Sequence, residues 1–309
     1  MTQRAPARQR PNRCSLSPSG NNQRERAGGS LVVRPSGLRG VFTCREWDTA
    51  RVIEIDDPAD PRLDDFRDLS TADRRPDRPG GRGLVIAEGV VVVERLLASP
   101  YPVRSLLGVR RRVEALGDLP APAYVTSAEV MAEVVGFHLN RGVLAVADRA
   151  PQPSPDDLAR DATTLAVLEG VGDHENLGSL FRNAAALGIG GILLGPGCSD
   201  PLYRRSVRVS MGHVLRVPFA QLPDLSSGLD MLRHNGFTVA ALTPRASAEN
   251  LADLDLRSSR TAVLLGSEGP GLTEEAIAAA DVAVRIPMAS GVDSLNVATA
   301  GAIAFYAIS

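Results

Sequence analysis

Lysine is absent: all 34 basic residues of this 309-residue chain are arginine. A Walker-type phosphate loop needs its lysine, so that nucleotide-binding class is excluded. Cysteine is scarce. Cys14, Cys44 and Cys198 are far apart and form neither a CxxC pair nor a zinc-ligand spacing. The four histidines form no HxxxH pair. Neither a metal site nor a disulfide framework is expected. No apolar run is long enough to span a bilayer, so no membrane partner is expected either. The polar N-terminus lacks the apolar core of a secretory signal. A reducing, cytoplasmic setting is the expectation that follows.

What is present is ordinary globular composition, 44% hydrophobic and 23% charged, at a length that suits two domains. The net charge is only -2, but it is uneven. Residues 1–50 hold nine arginines against Glu25, Glu46 and Asp48, an excess of six, which leaves -8 on the remainder. This segment is rich in Arg, Pro, Ser, Gly and Asn with little periodicity, and reads as a disordered basic arm. Either it touches RNA phosphates or it has no role.

From Arg51 the pattern becomes compact. Strands are expected at 83–89, 103–109, 121–127 and 141–148, with helices at 90–99 and 128–136. That alternation gives a small α/β domain over 51–150. A proline-rich linker follows over 151–160. In 161–309, strands are expected at 163–169, 190–195, 214–219, 237–242, 261–266 and 282–286. Helices are expected near 176–188, 201–211, 223–235, 273–280 and 293–307. Continuous apolar runs such as TAVLLG indicate a parallel sheet covered on both faces. Ligands of such sheets bind beyond the carboxyl ends of the strands.

Three loops at those ends carry unusual residues. The first is ENLGSLFRNAAALG, with Asn176, Gly178 and Arg182. Six positions place Asn176 and Arg182 about 120° apart around a helix. They can face one cavity if Asn176 lies in the loop above the first turn; otherwise they are a cap and a surface arginine. The second is LLGSEGPGLTEE (264–275), in which three glycines surround Glu268. The third is IPMASGVDSLNVATAGAIAFYA (286–307), with Ser294 and Asn296 at a helix start. A Rossmann methyltransferase would carry its glycine loop after its first strand. Only 38 residues follow Gly271, too few for the rest of such a sheet.

In order and spacing these three stretches resemble the motifs of the SpoU (TrmH-like) family of RNA ribose 2′-O-methyltransferases, in the SPOUT superfamily. The motif resemblance covers 165–309. The stretch from GLVIAEG to GFHLNRGVLAVAD resembles the family's ribosomal-protein-like substrate-binding domain, and residues 1–50 lie outside. The resemblance implies an α/β fold whose C-terminal parallel sheet holds a deep trefoil knot. It implies methyl transfer from S-adenosylmethionine to a ribose 2′-hydroxyl of structured RNA, ribosomal RNA before transfer RNA, by a homodimer.

By position, the resemblance makes Arg182 the residue that activates the hydroxyl. It acts as a base or, since arginine stays protonated, as an electrostatic stabiliser. Asn176, Glu268, Ser294 and Asn296 complete the catalytic set, and Asn176, Gly178 and Arg182 surround the reacting ribose. Gly266, Ile286 and Leu295 match donor contacts, with Pro287 and Met288 shaping the same wall. Arg204, Arg205 and Arg208 on an expected helix, with Arg141 in FHLNRG (137–142), are expected to contact RNA phosphate. The second reading is a catalytically inactive RNA-binding or assembly protein of the same fold. The five intact polar positions argue against it.

Overall fold

The computed structural model describes residues 52–69, 83–257 and 259–309. The arm expected over 1–50 lies outside the described residues.

The first sheet is built from β1 (Val52–Glu54), β2 (Val85–Glu88), β3 (Val103–Gly108), β4 (Ala123–Val125) and β5 (Val143–Ala147), in the order β1-β4-β3-β5-β2. It is mixed: β4 runs parallel to β1 and β3, while β5 runs antiparallel to β2 and β3. Helices α1 (Val90–Leu97), α2 (Arg110–Glu114) and α3 (Ala128–Val135) connect the strands. Strand β1 and helix α2 were not expected; three and five residues are too short to show a period.

The proline-rich stretch expected as a linker contains a helix, α4 (Pro155–Asp161). Ser154 caps it by accepting from the Asp157 amide at 3.1 Å. Pro155 sits in the first turn, where the missing N–H costs nothing.

The second sheet is entirely parallel. Its strands are β6 (Thr164–Leu168), β7 (Gly191–Leu194), β8 (Phe219–Gln221), β9 (Phe237–Leu242), β10 (Glu249–Asn250), β11 (Arg260–Leu265) and β12 (Val282–Arg285). They lie in the order β10-β12-β9-β11-β6-β7-β8. Between them run α5 (His174–Ala186), α6 (Arg204–Val209), α7 (Leu225–His234) and α8 (Glu274–Ala278), and α9 (Val297–Ile308) closes the chain.

Strand alternation sorts the core. Ala166, Leu168, Val263 and Leu265 point to the face covered by α5 and α9. Leu165, Val167, Ala262 and Leu264 point to the face covered by α4, α7 and α8. The strand expected at 214–219 is displaced. Residues 213–215 form a 3-10 turn, and pairing begins only at Phe219, after Pro218, which has no N–H to donate. One buried apolar cluster runs from Val85, Ala87 and Val92 of the first sheet region to Leu177, Val207 and Val214 beside the second sheet. Continuous packing therefore joins the two sheets.

Among the described residues, no helix is long and apolar enough to cross a membrane. Nor does any group of three His, Cys, Asp or Glu side chains among them form a metal cluster.

Candidate active site

Strands β12, β9 and β11 are neighbours in the sheet, and their carboxyl ends open on one cavity of about 430 Å³. The segment after β11 contributes Gly266, Ser267, Glu268 and Leu272. The segment after β12 contributes Ile286, Met288, Ser294, Leu295 and Asn296. Pro287, expected in the same wall, is exposed and does not line the cavity. The third wall was missed in the sequence: Leu242, Thr243, Pro244 and Arg245 follow β9. The rule that ligands sit beyond strand ends pointed to this loop, but it carries no glycine cluster or paired polar residues to mark it. At the mouth Arg245 forms an exposed ion pair with Glu274.

The glycine segment is a closed hairpin. Ser267 and Gly271 exchange both backbone hydrogen bonds at 3.2 Å. Gly266 enters it with no room for a side chain: a Cβ there would lie 2.2 Å from the Gly271 carbonyl carbon and 2.3 Å from the Leu272 nitrogen. Its bareness thus serves the hairpin's own backbone. Glu169, at the end of β6, fixes the exit. Its two carboxylate oxygens accept from the Thr273 amide at 2.9 Å and the Thr273 hydroxyl at 2.8 Å. Thr273 in turn caps α8.

Glu268, between these two anchors, accepts from Asn176 Nδ2 at 2.7 Å. Asn176 Oδ1 accepts from Asn296 Nδ2, also at 2.7 Å. Asn296 Oδ1 accepts from the amides of Ala298 and Thr299 at 3.0 and 3.2 Å, capping α9. The direction of this relay is fixed at both ends. The helix amides can only donate and a carboxylate can only accept, so each asparagine has one permitted orientation. Three motifs that are 92 and 120 residues apart in sequence are thereby tied together. Asn176 is buried to 8% exposure, so each bond replaces water it cannot reach.

Helix α5 starts earlier than expected, because Asp173 caps it through the Glu175 and Asn176 amides, each at 2.9 Å. Asn176 is therefore inside the first turn, not in a loop above it. That changes the expected grouping of Asn176, Gly178 and Arg182. Gly178 faces α6: a Cβ there would lie 2.8 Å from the Ser206 carbonyl oxygen and 3.0 Å from Val209 Cβ. Arg182 is exposed and does not line the cavity. Within one chain the three residues face three different surroundings. Ser294 and Leu295 are exposed at the cavity edge. Helix α9 begins at Val297, four residues later than expected, since Asn296 is its cap.

The arginines expected to meet RNA are mostly engaged. Arg204 stacks over the Phe137 ring at 4.6 Å and lies 3.9 Å from Glu88. Burial pulls its guanidinium below the ordinary arginine range, against the opposing charge of Glu88. Arg205 is bound to Glu175, with Nε at 3.0 Å from the carboxylate. Arg141 reaches the Glu88 carbonyl at 3.4 Å. Arg208 alone of the four has no such partner among the described residues. Positions 204 and 208 therefore do not present a shared free face.

The all-parallel sheet thus carries a ligand-sized cavity at the ends of β9, β11 and β12, with the first motif tied to it through Asn176, which defines an α/β domain with a small-ligand site. Residues 163–306 match the SpoU rRNA Methylase family. The chain is 56% identical over 261 residues to an uncharacterized tRNA/rRNA methyltransferase of Mycobacterium tuberculosis, covering 82% of this chain and 91% of that protein. The chain belongs to the SpoU rRNA methylase family. Its fold is similar to that of an AdoMet-bound rRNA methyltransferase from Sinorhizobium meliloti. The TM-score is 0.71 at 25% identity, covering 83% of this chain and 97% of that one. A solved RNA 2′-O ribose methyltransferase matches with a TM-score of 0.65 at 26% identity, over 82% of this chain and 97% of that one.

Proposed function

We propose that this chain transfers a methyl group from S-adenosylmethionine to a ribose 2′-hydroxyl of structured RNA, ribosomal RNA before transfer RNA. The observation that carries the reading is the cavity walled by the second and third motif segments, to which the Glu268–Asn176–Asn296 relay ties the first. The residues suit the donor. Leu242, Leu265, Ile277, Ile286 and Leu295 offer an apolar slot, and Thr243, Ser267 and exposed loop backbone offer polar contacts at its edge. About 430 Å³ falls within the range of small-ligand sites, roughly 300–1,000 Å³. When bound, the donor supplies a sulfonium-activated methyl group.

The chain's own work is then positional. Gly266, Ile286, Met288 and Leu295 hold the donor, with Pro287 outside that wall. Glu268, Asn176 and Asn296 keep the hairpin and the start of α9 in register, and Ser294 sits at the rim toward the substrate. Arg182 orients the substrate phosphate and stabilises the developing alkoxide as a fixed cation. In one protomer Arg182 lies outside the cavity, so the reading includes a homodimer in which the two protomers complete each other's site. The outward residues of α9, Ile303 at 39% and Tyr306 at 67% exposure, favour that pairing. The reading also includes the trefoil knot, supported by the return of the final segment across the sheet to pack α9 on α5 and β11. A cytoplasmic setting goes with it.

Calorimetry with S-adenosylmethionine, followed by labelled methyl transfer to ribosomal and transfer RNA and mapping of the product, tests the reading. Alkali-resistant linkages at the modified nucleotide are expected. Methylation of a base would overturn the ribose assignment. Donor binding without transfer to either RNA would favour the inactive RNA-binding reading.

A further inference from the structure

The 3-10 turn His213–Leu215 is wedged between α1 of the first sheet region and α5 of the second. It brings together cations from three places in the sequence. Arg95 of α1 reaches across to donate to the Met211 carbonyl. Its side chain lies against Gly212, where a Cβ would meet Arg95 Cβ and Cδ at 3.4 Å. Arg182 comes from α5, and Arg216 ends the turn as its exposed C-cap. The charged groups acting on His213 are Arg95, Arg216 and Arg182, with no carboxylate among them. Burial first and then these three cations hold the imidazole below its ordinary range. Arg95, Arg182 and Arg216 have no ion-pair partner among the described residues. Three other arginines nearby do: Arg204 faces Glu88, Arg205 binds Glu175 and Arg149 pairs with Asp200.

Like charges gathered without counter-charge repel one another, more strongly near a protein surface than in bulk water. A group that neutralises several at once is favoured there. We propose that Arg95, Arg182, His213 and Arg216 form a phosphate-binding cluster that holds the RNA backbone across the junction of the two sheets. This rests on the RNA-methyltransferase reading and extends it. The junction, rather than the α6 face, carries the phosphate contacts, and Arg182 belongs to the cluster. Because α1 and α5 both contribute, the first sheet region would take part in binding through its seam with the second.

The test is the salt dependence of RNA affinity, measured by fluorescence anisotropy on the full chain with purified ribosomal RNA fragments. Arg216→Gln and Arg95→Gln should each weaken binding by roughly three- to tenfold. Each should also make the slope of log K against log salt shallower by about 0.7–0.9 for every phosphate no longer neutralised. Arg160→Gln, on α4 against the opposite sheet face, should change neither. Donor affinity by calorimetry and thermal midpoint should stay at wild-type values in Arg216→Gln, whose side chain is exposed. Wild-type binding with unchanged slopes in both cluster variants would overturn the cluster while leaving the methyltransferase reading intact. A wild-type chain that binds neither ribosomal nor transfer RNA would sink the underlying reading and the cluster with it.

Discussion

Helix α5 serves two regions that differ in how their polar groups are satisfied. In its first turn Asn176 is buried and hydrogen-bonded on both sides, to Glu268 and to Asn296. Six residues later Arg182 is exposed, with no ion-pair partner among the described residues. The first region is complete in itself, so its polar groups serve to shape a cavity. The second carries charge without an ion-pair partner among the described residues, which is the ground for the phosphate cluster proposed above. A motif read along the sequence merges the two; the helix separates them by pointing its faces in different directions.

The comparison breaks most sharply at Arg182. Arg182→Ala should reduce methyl transfer about 10²–10³-fold, as expected for removing a transition-state cation. S-adenosylmethionine affinity should be unchanged, since the cavity does not include this residue. Arg182→Lys should recover little if the planar fork matters. Single-turnover assays beside calorimetry check both, and wild-type turnover in Arg182→Ala would return it to a plain surface role.

Asn176→Ala strikes the other region. It removes two part-buried hydrogen bonds, one to a carboxylate, and should cost about 1–3 kcal/mol of stability by urea denaturation. Donor binding should weaken as well, because the hairpin tip and the start of α9 lose their tie. Gly266→Ala should act in the same direction for a different reason. Its Cβ would collide with the Gly271–Leu272 backbone, so donor affinity should fall through displacement of the hairpin. A crystal structure of that variant with an undisturbed hairpin would contradict this account.

A smaller effect is expected at the buried pair between β2 and α6. Arg204→Met leaves Glu88 buried and unpaired, and should destabilise by about 2–3 kcal/mol. Combining it with Glu88→Gln should restore most of that loss. RNA affinity in the double variant, measured by anisotropy, should stay close to wild type, because Arg204 is engaged inside the fold.

The smallest effect concerns pH. The His213 pKa is lowered in the fold by burial and by Arg95, Arg216 and Arg182. The unfolded chain therefore binds this proton more readily. Stability associated with the neutral ring is present above the ordinary histidine pKa of about 6.5 and falls as pH drops below it toward the folded value. His213→Gln should flatten that acid-side loss in urea titrations. Bound RNA should oppose the shift, since phosphate favours the charged ring.

Much of the site was legible because its chemistry is local in sequence. The apolar runs of β6, β9 and β11 are long enough to show as buried parallel strands, and the glycine hairpin and the Ser294–Asn296 helix start are marked by composition. The wall after β9 was not, since Leu242–Arg245 carries no distinctive residue pattern. Glu169 was not either, because its partner Thr273 is 104 residues away.

By itself the sequence determined that this chain builds a parallel sheet with polar loops at its strand ends, and which loops those are. Periodicity and glycine placement act over a few residues, so they can be read without the fold. Only the tertiary structure decided which polar groups satisfy one another. Asn176 turns to Glu268, Gly178 makes room for α6, Arg204 faces inward and Arg182 outward. Those outcomes depend on which helix face packs against which neighbour, a property of segments some 30 to 120 residues apart, which no single stretch of sequence contains.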